Sequence, residues 1–79
     1  MKLELFKKDS CPYCQRVMSY IASSGRKDVI YLDIIESEEA ASRLVEVGGK
    51  RQVPCLFIDG EPLYESMDII DWLKNHPEV

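Results

Sequence analysis

Lys7-Lys8-Asp9-Ser10-Cys11-Pro12-Tyr13-Cys14, residues 7–14, joins two stretches of different hydrophobic period, and that junction decides the fold. Upstream, Leu3 and Leu5 alternate with Lys2 and Glu4 before Phe6, which predicts a strand near residues 2–7. Downstream, Cys14, Val17, Met18 and Ile21 recur at helical spacing and give one apolar helix face. Pro12 suits the first helical position, because its missing N–H would be unpaired there anyway. Gly25 is the expected stop. Val29-Ile30-Tyr31-Leu32, β-branched and aromatic, predicts a buried second strand. A strand, a helix and a second strand imply a parallel pair joined by a crossover.

The remaining chain extends this unit. Ser37-Glu38-Glu39 supplies a cap and two acids for a second helix, with Ala41, Leu44 and Val45 as its apolar face and Gly48-Gly49 as its end. Cys55-Leu56-Phe57-Ile58 predicts a third strand, and Asp59-Gly60 a hairpin turn into a short fourth strand at Leu63-Tyr64. Pro62 places that strand at an edge. Ser66 is the expected cap of a last helix carrying Ile69, Ile70 and Leu73. The expected class is α/β, in the order β-α-β-α-β-β-α: a four-stranded mixed sheet flanked by three helices. Residues 1–79 are read as a single domain.

Composition excludes several classes. The 79 residues are 46% hydrophobic and 30% charged, which describes a globular domain. Apolar runs such as Leu56-Phe57-Ile58 fall far short of the roughly 18 residues that cross a bilayer. The N-terminal residues lack the pattern of a secretory signal, and three cysteines do not make a disulfide scaffold. A cytoplasmic setting is therefore expected. The net charge of −4 resolves into +2 over residues 1–16, +2 over 48–55 and −8 elsewhere. An acidic body argues against nucleic acid and membrane surfaces, while the two basic stretches suit a small anion.

Cys11 and Cys14 carry the chemistry. Cys11 is expected at the helix N-cap, where free N–H groups and the helix dipole favour negative charge, with Lys8 three residues upstream adding to the effect. An ordinary thiol is only about 3% thiolate at pH 7, so a lowered pKa makes a nucleophile. Cys14, one turn on, lies within disulfide reach and is expected to be more buried and less ionised. A structural disulfide, a zinc site and a chance pair compete with redox chemistry. The first is disfavoured by the short loop, and the second finds only Cys55 and His76 as further ligands. Cys55 is expected in the core.

Three separated segments resemble the glutaredoxin family, and the likeness runs through essentially the whole chain. Cys11-Pro12-Tyr13-Cys14 resembles the dithiol active site, with Pro-Tyr in place of the Gly-Pro of thioredoxins. Gln52-Val53-Pro54 resembles a Thr-Val-Pro segment whose proline is cis, and Glu65-Ser66-Met67-Asp68 falls at a Gly-Gly-Cys/Ser-x-Asp segment. The resemblance implies a thioredoxin fold and a glutathione-dependent thiol–disulfide oxidoreductase, with Cys11 as nucleophile and Cys14 as resolving thiol. It further implies a glutathione groove. Lys8 and Arg51 would meet the glycyl carboxylate, Tyr13 and Gln52 would line the groove, and Val53, beside Pro54, would pair with the cysteinyl unit. Ser66 and Met67 would receive the γ-glutamyl carboxylate, and Asp68 its amino group. Glutathione is the implied co-substrate, glutathionylated or disulfide-containing proteins are the implied partners, and a monomer without metal is expected.

Tyr64-Glu65 departs from the family's Gly-Gly and implies a bulkier, more acidic rim. The Glu65-Ser66 step also resembles glutathione transferases, although no all-helical second domain follows within these residues. Other readings remain open: a thioredoxin-like donor recharged by a reductase, an iron–sulfur carrier, which Pro12 disfavours, and a glutathione-binding carrier, which the second cysteine disfavours.

Overall fold

The computed structural model describes residues 1–78, so Val79 of the expected single domain lies outside the described residues. Seven elements follow in order: β1 (Leu3–Lys7), α1 (Pro12–Ser24), β2 (Val29–Asp33), α2 (Glu38–Gly48), β3 (Cys55–Ile58), β4 (Glu61–Tyr64) and α3 (Ser66–Asn75). This is the expected thioredoxin fold. The strands lie in the order β2-β1-β3-β4. β1 pairs with β2 in parallel and with β3 antiparallel, and β3–β4 is the antiparallel hairpin. Asp59 and Gly60, both at positive φ, turn the chain between those strands.

Strand alternation divides the core into two layers. Leu3, Leu5 and Leu56 face α1 and α3, meeting Val17, Ile21, Ile69 and Leu73. Phe6, Cys55 and Phe57 face α2 and pack on Ala40 and Leu44, with the phenylalanine ring centroids 4.4 Å apart. Glu4 shares that second face and is buried, because Arg43 on α2 closes on it with two bonds of 2.6 and 2.8 Å. Arg26 is likewise buried. It bonds Asp28 and donates to the carbonyls of Leu73 and His76, satisfying the end of α3.

Three expectations are corrected. β2 is an edge strand, with Ile30 49% and Tyr31 43% exposed, because β3 takes the other side of β1. The buried face of α2 is Ala40 and Leu44, whereas Val45 is exposed. Ser66 is not the cap of α3: it is the first helical residue and is buried, and the cap position belongs to Glu65, which makes no side-chain capping bond.

Candidate active site

The end of β1 delivers the chain to the start of α1, and Cys11 is the N-cap. Its extended backbone turns Sγ back over the helix, where it accepts the N–H of Cys14 at 3.4 Å. The opposite wall comes from the segment before β3. Val53–Pro54 is a cis peptide, and the Val53 carbonyl lies 3.9 Å from Cys11 Sγ, in reach of a thiol proton. The sequence implies an exposed attacking thiol beside a more buried Cys14, but the Cys11 residue is itself only 8% accessible.

The environments of the three thiols differ. At Cys11 burial works against ionisation. The Cys14 N–H and thiol, the Tyr13 N–H and the charge on Lys8 together outweigh it and hold the pKa below the ordinary value. Burial pushes Cys14 up to about 12, reinforced by its hydrogen bond to Cys11 and by the Cys11 charge. Burial also pushes Cys55 up to about 11. All three are free thiols.

Beside Cys11 runs a groove of about 530 Å³, a size that suits a small peptide-like ligand. Tyr13 and Arg16 of α1 form one wall, Gln52, Val53 and Pro54 the floor, and Glu65, Ser66 and Met67 the other wall. Six of the expected glutathione-contacting residues thus converge: Tyr13, Gln52, Val53, Pro54, Ser66 and Met67. Lys8, Arg51 and Asp68 do not line it. Lys8 acts on Cys11 through its charge, and Arg51 lies in a separate depression against Ala41, Ser42, Val45 and Glu46. Asp68 sits in the first turn of α3 and favours that helix through the dipole.

Arg16 is the lining residue that sequence reading missed. Its guanidinium is 5.9 Å from the Tyr13 ring centroid, and Nη1 is 3.8 Å from Met67 Sδ across the groove. Its spacing of three from Tyr13 was the available signal. Of the two residues expected to thicken the rim, only Glu65 lines the groove, with Oε1 3.5 Å from Gln52 Nε2. Tyr64 instead turns toward α2.

The family model for glutaredoxins matches residues 3–63. The chain belongs to the glutaredoxin family. It is 33% identical over 73 residues to glutaredoxin-C4 of Arabidopsis thaliana, covering 89% of this chain and 53% of that one. It is 31% identical over 61 residues to glutaredoxin 3 of Escherichia coli (strain K12), covering 75% of this chain and 70% of that one. This glutaredoxin-family chain spans about half the length of the first curated relatives it matches. Among solved structures, the holo form of glutaredoxin C1 from Populus tremula x tremuloides superposes with a TM-score of 0.70 at 22% identity, over 94% of this chain and 75% of that one. That likeness establishes the shared fold.

Proposed function

We propose that this glutaredoxin-family chain is a glutathione-dependent thiol–disulfide oxidoreductase that reduces disulfides and glutathione mixed disulfides. One observation carries the reading: a Cys11 thiol with lowered pKa lies against the Val53 carbonyl, beside the groove that Val53 lines. The Cys11 thiolate attacks the glutathionyl sulfur of a mixed disulfide. A Cys11–glutathione bond forms, and the protein thiolate leaves and takes a proton from solvent. A second glutathione thiolate then attacks the glutathionyl sulfur, forming glutathione disulfide and restoring the Cys11 thiolate.

Cys14 offers the other exit, attacking Cys11 Sγ to release glutathione and leave an internal disulfide. The Cys11 charge no longer opposes Cys14 once Cys11 carries glutathione, but burial, the largest cause of its raised pKa, remains, so the two-glutathione route is expected to carry most of the flux on glutathionylated substrates. The Val53 backbone, two residues before β3, suits pairing with the cysteinyl unit, and the α3 N-terminus suits a carboxylate. A cytoplasmic monomer using no metal completes the reading.

The test is turnover of a glutathionylated peptide with glutathione and glutathione reductase, or with thioredoxin reductase, as the electron source. Glutathione-driven turnover is expected, abolished in Cys11→Ser and retained in Cys14→Ser. Turnover only with thioredoxin reductase, or equal loss in both variants, overturns the reading. A coloured, iron-containing protein from anaerobic purification with no turnover supports the carrier instead.

A further inference from the structure

Tyr64 closes β4 directly before the groove wall, and backbone pairing sets it opposite Cys55. Its ring reaches to the end of α2, where the hydroxyl lies 3.1 Å from the Gly48 carbonyl and 3.2 Å from the Lys50 carbonyl. One hydroxyl carries one proton, so the two carbonyls share it. The Lys50 ammonium stands 4.6 Å over the ring centroid and holds the same connection from its other side. The fit is close. A Cβ on Gly48 would collide with the Tyr64 hydroxyl and meet its Cζ at 3.4 Å.

The segment so held is the one that floors the groove. Residues 49–54 leave α2 beneath the Tyr64 hydroxyl and return to the sheet at Cys55, the pairing partner of Tyr64 itself. A single side chain therefore fastens the start of a loop whose end is fastened to its own backbone. Gln52, Val53 and Pro54 lie between those ties.

We propose that Tyr64 is a positioning residue, whose hydroxyl fixes the depth of the groove floor and so places the Val53 backbone for the cysteinyl part of a glutathione adduct. The inference rests on the glutathione reading above. Backbone pairing at Val53 is made equally in the ground state and the transition state. Loosening it raises KM and leaves kcat and the ionisation of Cys11 alone.

The experiment is steady-state kinetics of Tyr64→Phe, Gly48→Ala and the double variant on a glutathionylated peptide, with backbone 15N order parameters for residues 50–53. Loss of one ordinary hydrogen bond corresponds to about a three- to tenfold change. Tyr64→Phe is expected to raise KM by about that factor, with kcat within about twofold and an unchanged pH–rate inflection. Gly48→Ala is expected to match it by displacing the hydroxyl, and the double variant to be no worse than Gly48→Ala alone. Order parameters at 50–53 should fall in each. An unchanged KM in Tyr64→Phe, an equal fall in kcat, or single effects that multiply in the double variant overturns the proposal. So does an unchanged set of order parameters. Absence of glutathione-driven turnover in the unmodified protein instead overturns the functional reading, and the order parameters then report on the Tyr64 tie by themselves.

Discussion

Alkylation with iodoacetamide at pH 7 should label Cys11 and spare the other two cysteines, and the margin follows from ionisation and reactivity together. With Cys14 near 12 and Cys55 near 11, about one molecule in 10⁵ and one in 10⁴ respectively carries the thiolate at that pH. A thiol at the ordinary value of 9.0 carries about 1%, and Cys11 lies below that value, so about 1% is a floor for it. Ionisation alone then favours Cys11 by at least about 1,000-fold over Cys14 and about 100-fold over Cys55. A more basic thiolate is also the stronger nucleophile. With a Brønsted slope near 0.45 that returns about 20-fold to Cys14 and about 8-fold to Cys55. Preferences of about 50-fold and about 12-fold survive, before the complete burial of both disfavoured sulfurs is counted. The assay is peptide mapping by mass spectrometry under limiting reagent, with the pH profile of the labelling rate. Labelling confined to Cys11, with an inflection below the ordinary value of 9.0, is the expected result. Comparable labelling of Cys14, or an inflection at or above that value, refutes the assignment of an N-cap thiolate.

Two further outcomes concern stability. Arg43→Met strips a buried Glu4 carboxylate of its bidentate partner and should cost about 2–4 kcal/mol, since exposed Lys2 at 3.9 Å offsets little. The Arg43 hydrogen bond holds Glu4 below the usual carboxylate range. The pair therefore contributes stability above the unfolded carboxylate pKa, and that stability is lost as pH falls through the lowered folded value. In Arg43→Met burial is opposed only by the exposed Lys2 charge and this contribution reverses sign. Urea midpoints that keep the same value and pH slope would sink the argument. Glu65→Gly should raise the thermal midpoint by a few degrees, because Glu65 sits at φ 73 and ψ 120, a region that costs a side-chain-bearing residue about 1–3 kcal/mol. A lower midpoint would show that the Gln52 contact outweighs the strain.

The parts of the fold legible in the sequence are those set by neighbours in the chain. Cys11-Pro12 as cap and first turn, and Asp59-Gly60 as a two-residue hairpin, are local chemistry and were read correctly. The edge position of β2 was not, because it depends on β3 inserting beside β1, a pairing between residues some fifty apart that no local pattern encodes. Glu4 alternates with leucines like a solvent-facing residue. Its partner Arg43 lies 39 positions away, and only the docking of α2 reveals the pair. In the site, the groove floor and both cysteines were legible from three short motifs. The position of Arg51 beside α2 was not, since loop residues 49–54 take their direction from the Tyr64 tie.

The buried Arg26 fixes the far end of a groove wall. Its guanidinium pins the Leu73 and His76 carbonyls, at the opposite end of the helix from Ser66 and Met67 in the groove wall. The head of α3 is held by other means, since it follows β4 directly and buries Ile69 and Ile70 in the core. Ten helical residues make a beam about 15 Å long, clamped at both ends. The position of the groove wall therefore depends in part on a guanidinium at the far end of the helix, remote from any ligand.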